Sequence, residues 1–314
     1  MSIIEFPIQT ASKSEELREF LLEDIIPKIM NVPVVQGIQN QEKDDLLKNH
    51  EAYKSDFWFE LYDSLKKVQA IPTTSLNETD LQLAKRMIGH DLYNIIQRIP
   101  SNLGLAKELQ DEDEEEMHEA MDMAITNISK IKHFVNVQHY LTTGVVHDDI
   151  KITSKELPSF FPRAKVDVTI PTDSKRLVTL IQMYNNNNKY NLQTTINGAY
   201  DANGYGYFRV EDNGKGFLDR NGTPLYSDRI ENVFGDTYTT DSKGTGYGLT
   251  LAKRLNSDID LVTTIQDEEG KFKTTTIFSG EKPKTATGIL NKTGSIFSFY
   301  SEELNSGTVQ QRVA

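Results

Sequence analysis

Residues 209–251, RVEDNGKGFLDRNGTPLYSDRIENVFGDTYTTDSKGTGYGLTL, constrain this chain more than any other stretch. Two glycine clusters frame it, Asp212-Asn213-Gly214-Lys215-Gly216 and Gly244-Thr245-Gly246-Tyr247-Gly248, with polar residues between them. Arg209-Val210-Glu211 has the character of a strand entering the first cluster, and Leu249 to Leu255 that of a helix leaving the second. A strand ending in a carboxylate, then Gly-x-Gly, puts one acceptor at the floor of a pocket beside backbone thin enough for a ring to lie against. A glycine-rich turn opening a helix presents free N–H groups and the positive end of the helix dipole, which suits phosphate. Either cluster alone is an ordinary turn signal. In this order, with a lid-length gap, they describe a nucleotide pocket with Asp212 on the base and Gly244, Gly246 and Gly248 near the phosphates.

Composition narrows the rest. At 314 residues the chain can hold two or three small domains with real cores. Hydrophobic content of 37% and charged content of 25% are those of a soluble globular protein. No apolar run approaches the ~20 residues of a membrane span, and the N-terminus lacks the pattern of a signal peptide. Zero cysteines exclude disulfides and thiolate metal sites and fit a reducing compartment; the expectation is a cytoplasmic protein. A net charge of −12 argues against nucleic acid or an anionic membrane as partner.

Taken in order, residues 13–30 carry Leu17, Phe20, Leu21 and Ile25 at helical spacing, with Pro27 near the end. A further helix or two over 41–69 ends in the aromatic cluster Phe57 to Tyr62, read as core packing or a dimer contact, and Ile71-Pro72 reads as a break. Ser75 to Glu78 has the form of a capping box. Beyond it Leu81, Ala84, Ile88, Leu92, Ile95 and Ile99 make a continuous apolar stripe that Pro100 is expected to end or kink. Residues 102–116 read as a connection ending in the acidic run Asp111 to Glu116, before a second stripe from Met117 to Val135. One hairpin cannot bury both stripes by itself, so dimerisation into a four-helix bundle is expected. From about Phe160 the character becomes α/β: a strand at 165–170, a helix over 173–190, a glycine-rich hairpin turn over 197–206, a strand from Phe208 to Glu211, and two closing strands at 261–265 and 272–278. The apolar patch Ile296 to Tyr300 in the tail reads either as a strand or as part of a disordered extension. The expected domains are 1–74, helical and of unassigned role; 75–145, the hairpin; 150–280, nucleotide-binding; and 281–314, a C-terminal extension.

The first stripe helix contains Gly89-His90-Asp91-Leu92-Tyr93-Asn94. Two residues along a helix turn by ~200°, so His90 points away from Ile88 and Leu92 and should be exposed. Neutral imidazole is a competent nucleophile near pH 7. Asp91 can hold the proton of the other ring nitrogen, orient the ring and stabilise the charge that develops on attack. What sets His90 apart from His50, His118, His133, His139 and His147 is the constellation: a carboxylate follows at once, an amide lies four residues on at Asn94, and the nucleotide pocket lies about 120 residues downstream.

With these residues in place the chain resembles a family, the ATP-binding domain shared by histidine kinases, gyrase B, Hsp90 and MutL, with the phosphoacceptor hairpin of histidine kinases before it. DNGKGF (Asp212, Gly214, Gly216) matches its first glycine box and GTGYGL (Gly244, Thr245, Gly246, Tyr247, Gly248, Leu249) its second. Ile230 to Phe234 looks like the lid segment, with Phe234 as its phenylalanine, and His90-Asp91 like the phosphoacceptor box. Residues 180–190 look like the Asn box. Aligned on Lys189-Tyr190, this box puts the Mg²⁺-binding asparagine at Asn186, with Asn187 where alanine is usual and Gln182 at the upstream Asn; Asn185 is the fallback register. Lys189 would face the phosphates; Lys243 would either contact them or be solvated. Asn94, by the His-(Asp/Glu)-x-x-(Asn/Thr) pattern, would position a water that dephosphorylates the partner. Many members carry proline five residues after the histidine, where this chain has Ile95.

The resemblance implies an α plus α/β fold: a helical hairpin that dimerises into a four-helix bundle, followed by an α/β-sandwich domain binding ATP and Mg²⁺. It implies a homodimeric histidine kinase that phosphorylates His90 and passes the phosphoryl group to an aspartate on a separate response-regulator receiver domain. Two alternatives stand beside it, a catalytically weak phosphotransferase or scaffold of the same fold and an ATPase of the gyrase or Hsp90 type.

Overall fold

The structure is a computed structural model of the chain. It describes residues 13–30, 56–71, 79–145, 150–189, 191–201, 204–217, 234, 247–256, 259–266, 272–277 and 293–304. Two compact units result, Met1–Asp148 and Asp149–Ala314.

The first unit is helical. α1 (Lys13–Phe20) continues through a π turn at Leu21–Ile25 into α2 (Ile26–Met30). Ile26 N–H bonds Leu21 O across that wider turn, immediately before Pro27 removes a donor. α3 is Asp56–Ala70, and α4 (Thr79–Arg86) passes through a second π segment, Met87–Leu92, into α5 (Tyr93–Leu109). α6 spans Glu114–Thr143 and packs along α5. The Ser75–Glu78 capping box lies outside the described residues.

Pro100 does not end the helix. α5 runs through it to Leu109, so the expected connection over 102–116 shrinks to the few residues around 110–113. Proline removes one backbone donor, but Leu103 and Ala106 beyond it remain fully buried. That packing outweighs the lost bond. The acidic run does what helix electrostatics favours: Asp113 Oδ1 accepts from Glu115 N and Glu116 N, both at 3.0 Å, and Glu114 to Glu116 fill the first turn. Gly144 closes α6 with φ of 76°, its N–H donating to Tyr140 O at 2.8 Å.

The apolar stripes are covered inside the chain. Ile88, Leu92, Met121 and Ile128 have no exposed surface, and neither do Leu21, Ile25, Leu61 and Leu65 of the preceding helices. α1 meets α4, α2 meets α6, and α3 meets α4 and the π segment at Met87–Leu92. Lys28 Nζ, paired with Asp24 at 2.7 Å, also donates to Ser64 Oγ at 3.1 Å, tying α2 to α3. The stripes therefore do not require a second chain. The N-terminal helices supply the cover that sequence reasoning assigned to a dimer partner.

The second unit is a mixed six-stranded sheet in the order β1-β2-β3-β6-β4-β5. β1 is Ala164–Val168, β2 Thr194–Tyr200, β3 Tyr205–Asp212, β4 Ile259–Gln266, β5 Phe272–Ile277 and β6 Gly294–Leu304. Among the described strands only the β1–β2 pair is parallel. α7 (Ser174–Lys189) lies on β2 and β3 and packs against α8 (Gly248–Leu255). The helix-facing side of β3 is Phe208, Val210 and Asp212, that of β2 Thr194, Ile196 and Gly198. The glycine-rich stretch over 197–206 is not one turn: Gly198 sits inside β2, where a Cβ would lie 2.8 Å from Val168 and 3.1 Å from Phe208, and the turn is the short link before Tyr205.

The tail patch is a strand, and a central one. β6 pairs antiparallel with β3 on one side and β4 on the other. Ile296 and Phe299 have no exposed surface, and Phe299 stacks on Phe208 with centroids 5.4 Å apart. Residues expected to form an extension beyond 280 thus complete the core of the sheet.

One buried charge gives a pH-dependent test. Burial, and secondarily the Arg98 guanidinium, pulls the Lys130 ammonium down to about 8 from its ordinary 10.5. Between those values the unfolded chain holds a proton that the folded chain has lost, so stability should rise with pH through that window. Below pH 8 the full cost of burying the ammonium remains, on the order of 3 kcal/mol. We predict that Lys130→Met is more stable than wild type in urea at pH 7 and that the difference shrinks towards pH 10. A difference independent of pH would contradict the assignment.

Candidate functional site

His90 sits in the π segment Met87–Leu92. Met87, Ile88, Asp91, Leu92, Ile95 and Ile96 are all buried around it. A four-residue step overshoots a full α-helical turn by ~40°, and the wider π turn takes up part of that drift. The cap N–H of Tyr93 reaches both His90 O and Ile88 O, the mark of that altered register. The irregularity comes without the proline that the resemblance would place at Ile95.

The local geometry matches the chemistry sought. His90 Nδ1 lies 2.7 Å from Asp91 Oδ1, with the histidine side chain 56% exposed and the aspartate 10%. A carboxylate only accepts, so Nδ1 carries the proton of this bond. Asn94 is half-buried, about one turn along. Of the other histidines, His133 is buried in α6, 1% exposed, as a packed core residue.

Sequence reasoning missed Gly89. Its carbonyl accepts a hydrogen bond from Gln69 Nε2 of α3, and a Cβ there would lie 2.9 Å from Gln69 Cγ. The helix thus lacks a side chain next to His90 where another helix leans on it. A lone glycine inside an apolar stripe was the available signal.

In the second unit Asp212 ends β3 and is buried, 6% exposed. Its Oδ1 accepts from Gly214 N at 2.8 Å, bending the chain into the first glycine cluster, where Gly216 has φ of 76°. A Cβ on Gly214 would lie 2.9 Å from both Asp212 Oδ1 and Leu192 Cδ1. Phe217 N donates to Thr263 Oγ1 of β4 at 3.2 Å, anchoring the far end of the cluster. Beneath Asp212 lies the first residue of β6: with φ of 150°, Gly294 approaches so closely that a Cβ would sit 2.2 Å from Asp212 O. Asp212 is positioned by its own turn, by Leu192 and by the tail strand.

Phe234 is half-buried, its ring 6.5 Å from Phe297 of β6 and edge-on to it, with Lys253 Nζ of α8 5.9 Å from its centroid. Tyr247 is buried at the start of α8, while Gly248 and Leu249 are half-buried. A Cβ on Gly248 would lie 3.1 Å from Gln182 Oε1, so an amide oxygen of α7 abuts the opening of α8. Asn256 Nδ2 donates to Thr179 Oγ1 at 2.6 Å and fixes the two helices at their other end. Asn186 and Lys189 belong to α7, Asn186 one turn beyond Gln182; Asn185 is exposed and Asn187 buried. Tyr190, Lys243, Gly244, Thr245 and Gly246 lie outside the described residues. Among the described residues no group of His, Cys, Asp and Glu could hold a metal ion. The donors on α7 are amide oxygens, which suit a hard cation that keeps water and takes phosphate oxygens, as Mg²⁺ does.

Gly294→Ala tests how Asp212 is held. The added methyl must displace the Asp212 carbonyl, so the variant is expected to lose roughly 1–3 kcal/mol of stability as the end of β3 shifts. Urea denaturation reads this directly, and unchanged stability would show that the close approach of Gly294 does not hold the end of β3.

No protein-family model and no curated protein matches the sequence. Solved structures do resemble it. Full-length ShkA in complex with AMPPNP is 17% identical with a TM-score of 0.35, over 73% of this chain and 47% of ShkA, so this chain spans under half of that one. The mycobacterial sensor histidine kinase MprB is 13% identical with a TM-score of 0.31, over 49% of this chain and 96% of MprB. The histidine kinase domain of the Erythrobacter litoralis EL346 blue-light activated histidine kinase is 10% identical with a TM-score of 0.27, over 74% of this chain and 96% of that domain. Histidine kinases are thus among the structures this chain is similar to. At these scores the roles of particular residues rest on its own geometry. No helix among the described residues is long and apolar enough to cross a membrane.

Proposed function

We propose that this chain is a histidine kinase that phosphorylates His90 from Mg·ATP. The observation that carries the reading is the pair at the π segment, an exposed imidazole whose Nδ1 is held by a buried carboxylate at 2.7 Å. It is supported by a second unit in which a buried aspartate, a glycine turn and a glycine-opened helix are held close by β6 and α7.

In the proposed reaction Asp212 accepts from the base, and the second glycine cluster with Lys189 and Lys243 cradles the phosphates. Asn186, with Gln182 beside it, would hold Mg²⁺, which neutralises developing charge on the phosphate oxygens. Nε2 of His90 attacks the γ-phosphorus; an N–P bond forms, the bond from the bridging β,γ-oxygen to the γ-phosphorus breaks, and ADP leaves. Asp91 keeps the Nδ1 proton and stabilises the positive ring as it forms. A carboxylate of a separate receiver domain then takes the phosphoryl group and His90 returns to neutral. Asn94 orients a water for the reverse task, dephosphorylating that receiver. A homodimer belongs to the proposal by resemblance to the family, since the apolar stripes are covered within one chain.

The test is labelling with γ-³²P ATP and Mg²⁺. Wild type should acquire acid-labile, base-stable label; His90→Gln should acquire none while binding ATP normally. Asp91→Asn should label about 10²-fold more slowly, and Asn94→Ala should label normally but lose receiver dephosphorylation. ATP binding without label would point to the phosphotransferase or scaffold alternative. Steady hydrolysis indifferent to His90 would point to an ATPase.

A further inference from the structure

At the end of the π segment the helix withdraws a donor from Gly89 O. In an α-helix the N–H of residue 93 would bond the carbonyl of residue 89. Here Tyr93 N–H reaches Ile88 O and His90 O instead, the carbonyls on either side. Another helix supplies the donor: Gln69 Nε2, near the end of α3, donates to Gly89 O. Leu65 and Val68, both fully buried, fix that end of α3, and α3 meets the segment Met87–Leu92. The approach is possible because residue 89 is glycine, where a Cβ would lie 2.9 Å from Gln69 Cγ. Glycine also favours α geometry less than any residue except proline, so the local sequence does little to choose between the two turns.

We propose that Gln69 is a positioning residue for His90: it takes the place of the Tyr93 N–H on Gly89 O, holds the turn in its π register and so sets the direction in which the imidazole faces. This rests on the reading of His90 as the phosphoacceptor. Gly89 is half-buried, and a carbonyl shielded from water is costly to leave without a donor. With the Gln69 amide gone, Gly89 O recaptures the Tyr93 N–H and the turn tightens to α. A π turn is wider than an α turn. Exchanging one for the other rotates His90 and Asp91 relative to Ile95 and Ile96, the buried residues that anchor the start of α5. Gln69 therefore acts on the rate of phosphoryl transfer and leaves nucleotide binding alone. The position of α3 is in this way read out at His90.

The experiment compares the full chain with Gln69→Met, which keeps the bulk and removes the donor, and with Gln69→Lys, which restores one. The first readout is NMR of the isotope-labelled, nucleotide-free chain, following couplings across hydrogen bonds. These should join Tyr93 N to the Ile88 carbonyl carbon in wild type and Gln69→Lys, and to that of Gly89 in Gln69→Met. The second readout is phosphorylation of His90. At saturating Mg·ATP its rate should fall about 3- to 10-fold in Gln69→Met, the range over which one hydrogen bond shifts an equilibrium. The ATP concentration for half-maximal rate should not change, and Gln69→Lys should recover the rate. A merely structural role for Gln69 would leave the Tyr93 coupling on Ile88 in all three chains. That result, or equal labelling rates of wild type and Gln69→Met, would overturn the inference. Absence of label from wild type would instead overturn the kinase reading, with the Tyr93 coupling still reporting whether Gln69 holds the turn.

Discussion

The hydrogen bond between His90 and Asp91 lies where the helix departs from α geometry, at the π segment Met87–Leu92. The apolar face stays buried on both sides of His90 as it runs through that wider turn. The same turn buries the Asp91 carboxylate while its neighbour's ring stays exposed. In the proposed reaction the nucleophile needs access and its orienting base needs shelter, and the exposed imidazole beside a buried carboxylate meets both needs. Gln69 on Gly89 O adds a contact from α3, so that helix touches the backbone next to His90.

The second unit applies a comparable economy around Asp212. Asp212 is held between its own glycine turn, Leu192 and Gly294, three segments that are far apart in sequence. Strand β6 therefore helps hold Asp212, and the stack of Phe299 on Phe208 joins that end of β3 to the core. Phe297 continues that row outward, edge-on to Phe217 at 5.8 Å and to Phe234, so two described residues between the glycine clusters contact β6.

Much of this was legible in the sequence, where local chemistry decides local structure. The exposure of His90 followed from a 200° step away from Ile88 and Leu92. The start of α6 followed from its acidic run, and the bend after Asp212 from Gly-x-Gly. What could not be read depends on partners distant in the chain. Pro100 looked like a helix end because its intrinsic effect is local, whereas Leu103 and Ala106 keep the helix going through burial that sequence does not display. The stripes looked uncovered because nothing in residues 13–70 announces that they pack on the hairpin. Ile296 to Tyr300 was ambiguous because period and composition do not say where in a sheet a strand inserts. Asn187 looked like one of four interchangeable asparagines until its buried Nδ2 set it apart.

The central claim is that His90 accepts a phosphoryl group on Nε2 while Asp91 holds the proton on Nδ1. The most direct measurement is NMR of the ¹⁵N-histidine-labelled chain after incubation with Mg·ATP, following phosphorus–nitrogen coupling and the ring tautomer. The account predicts phosphorus on Nε2 of His90, with Nδ1 protonated before and after transfer. Phosphorus on Nδ1, on another histidine, or on no histidine would contradict it.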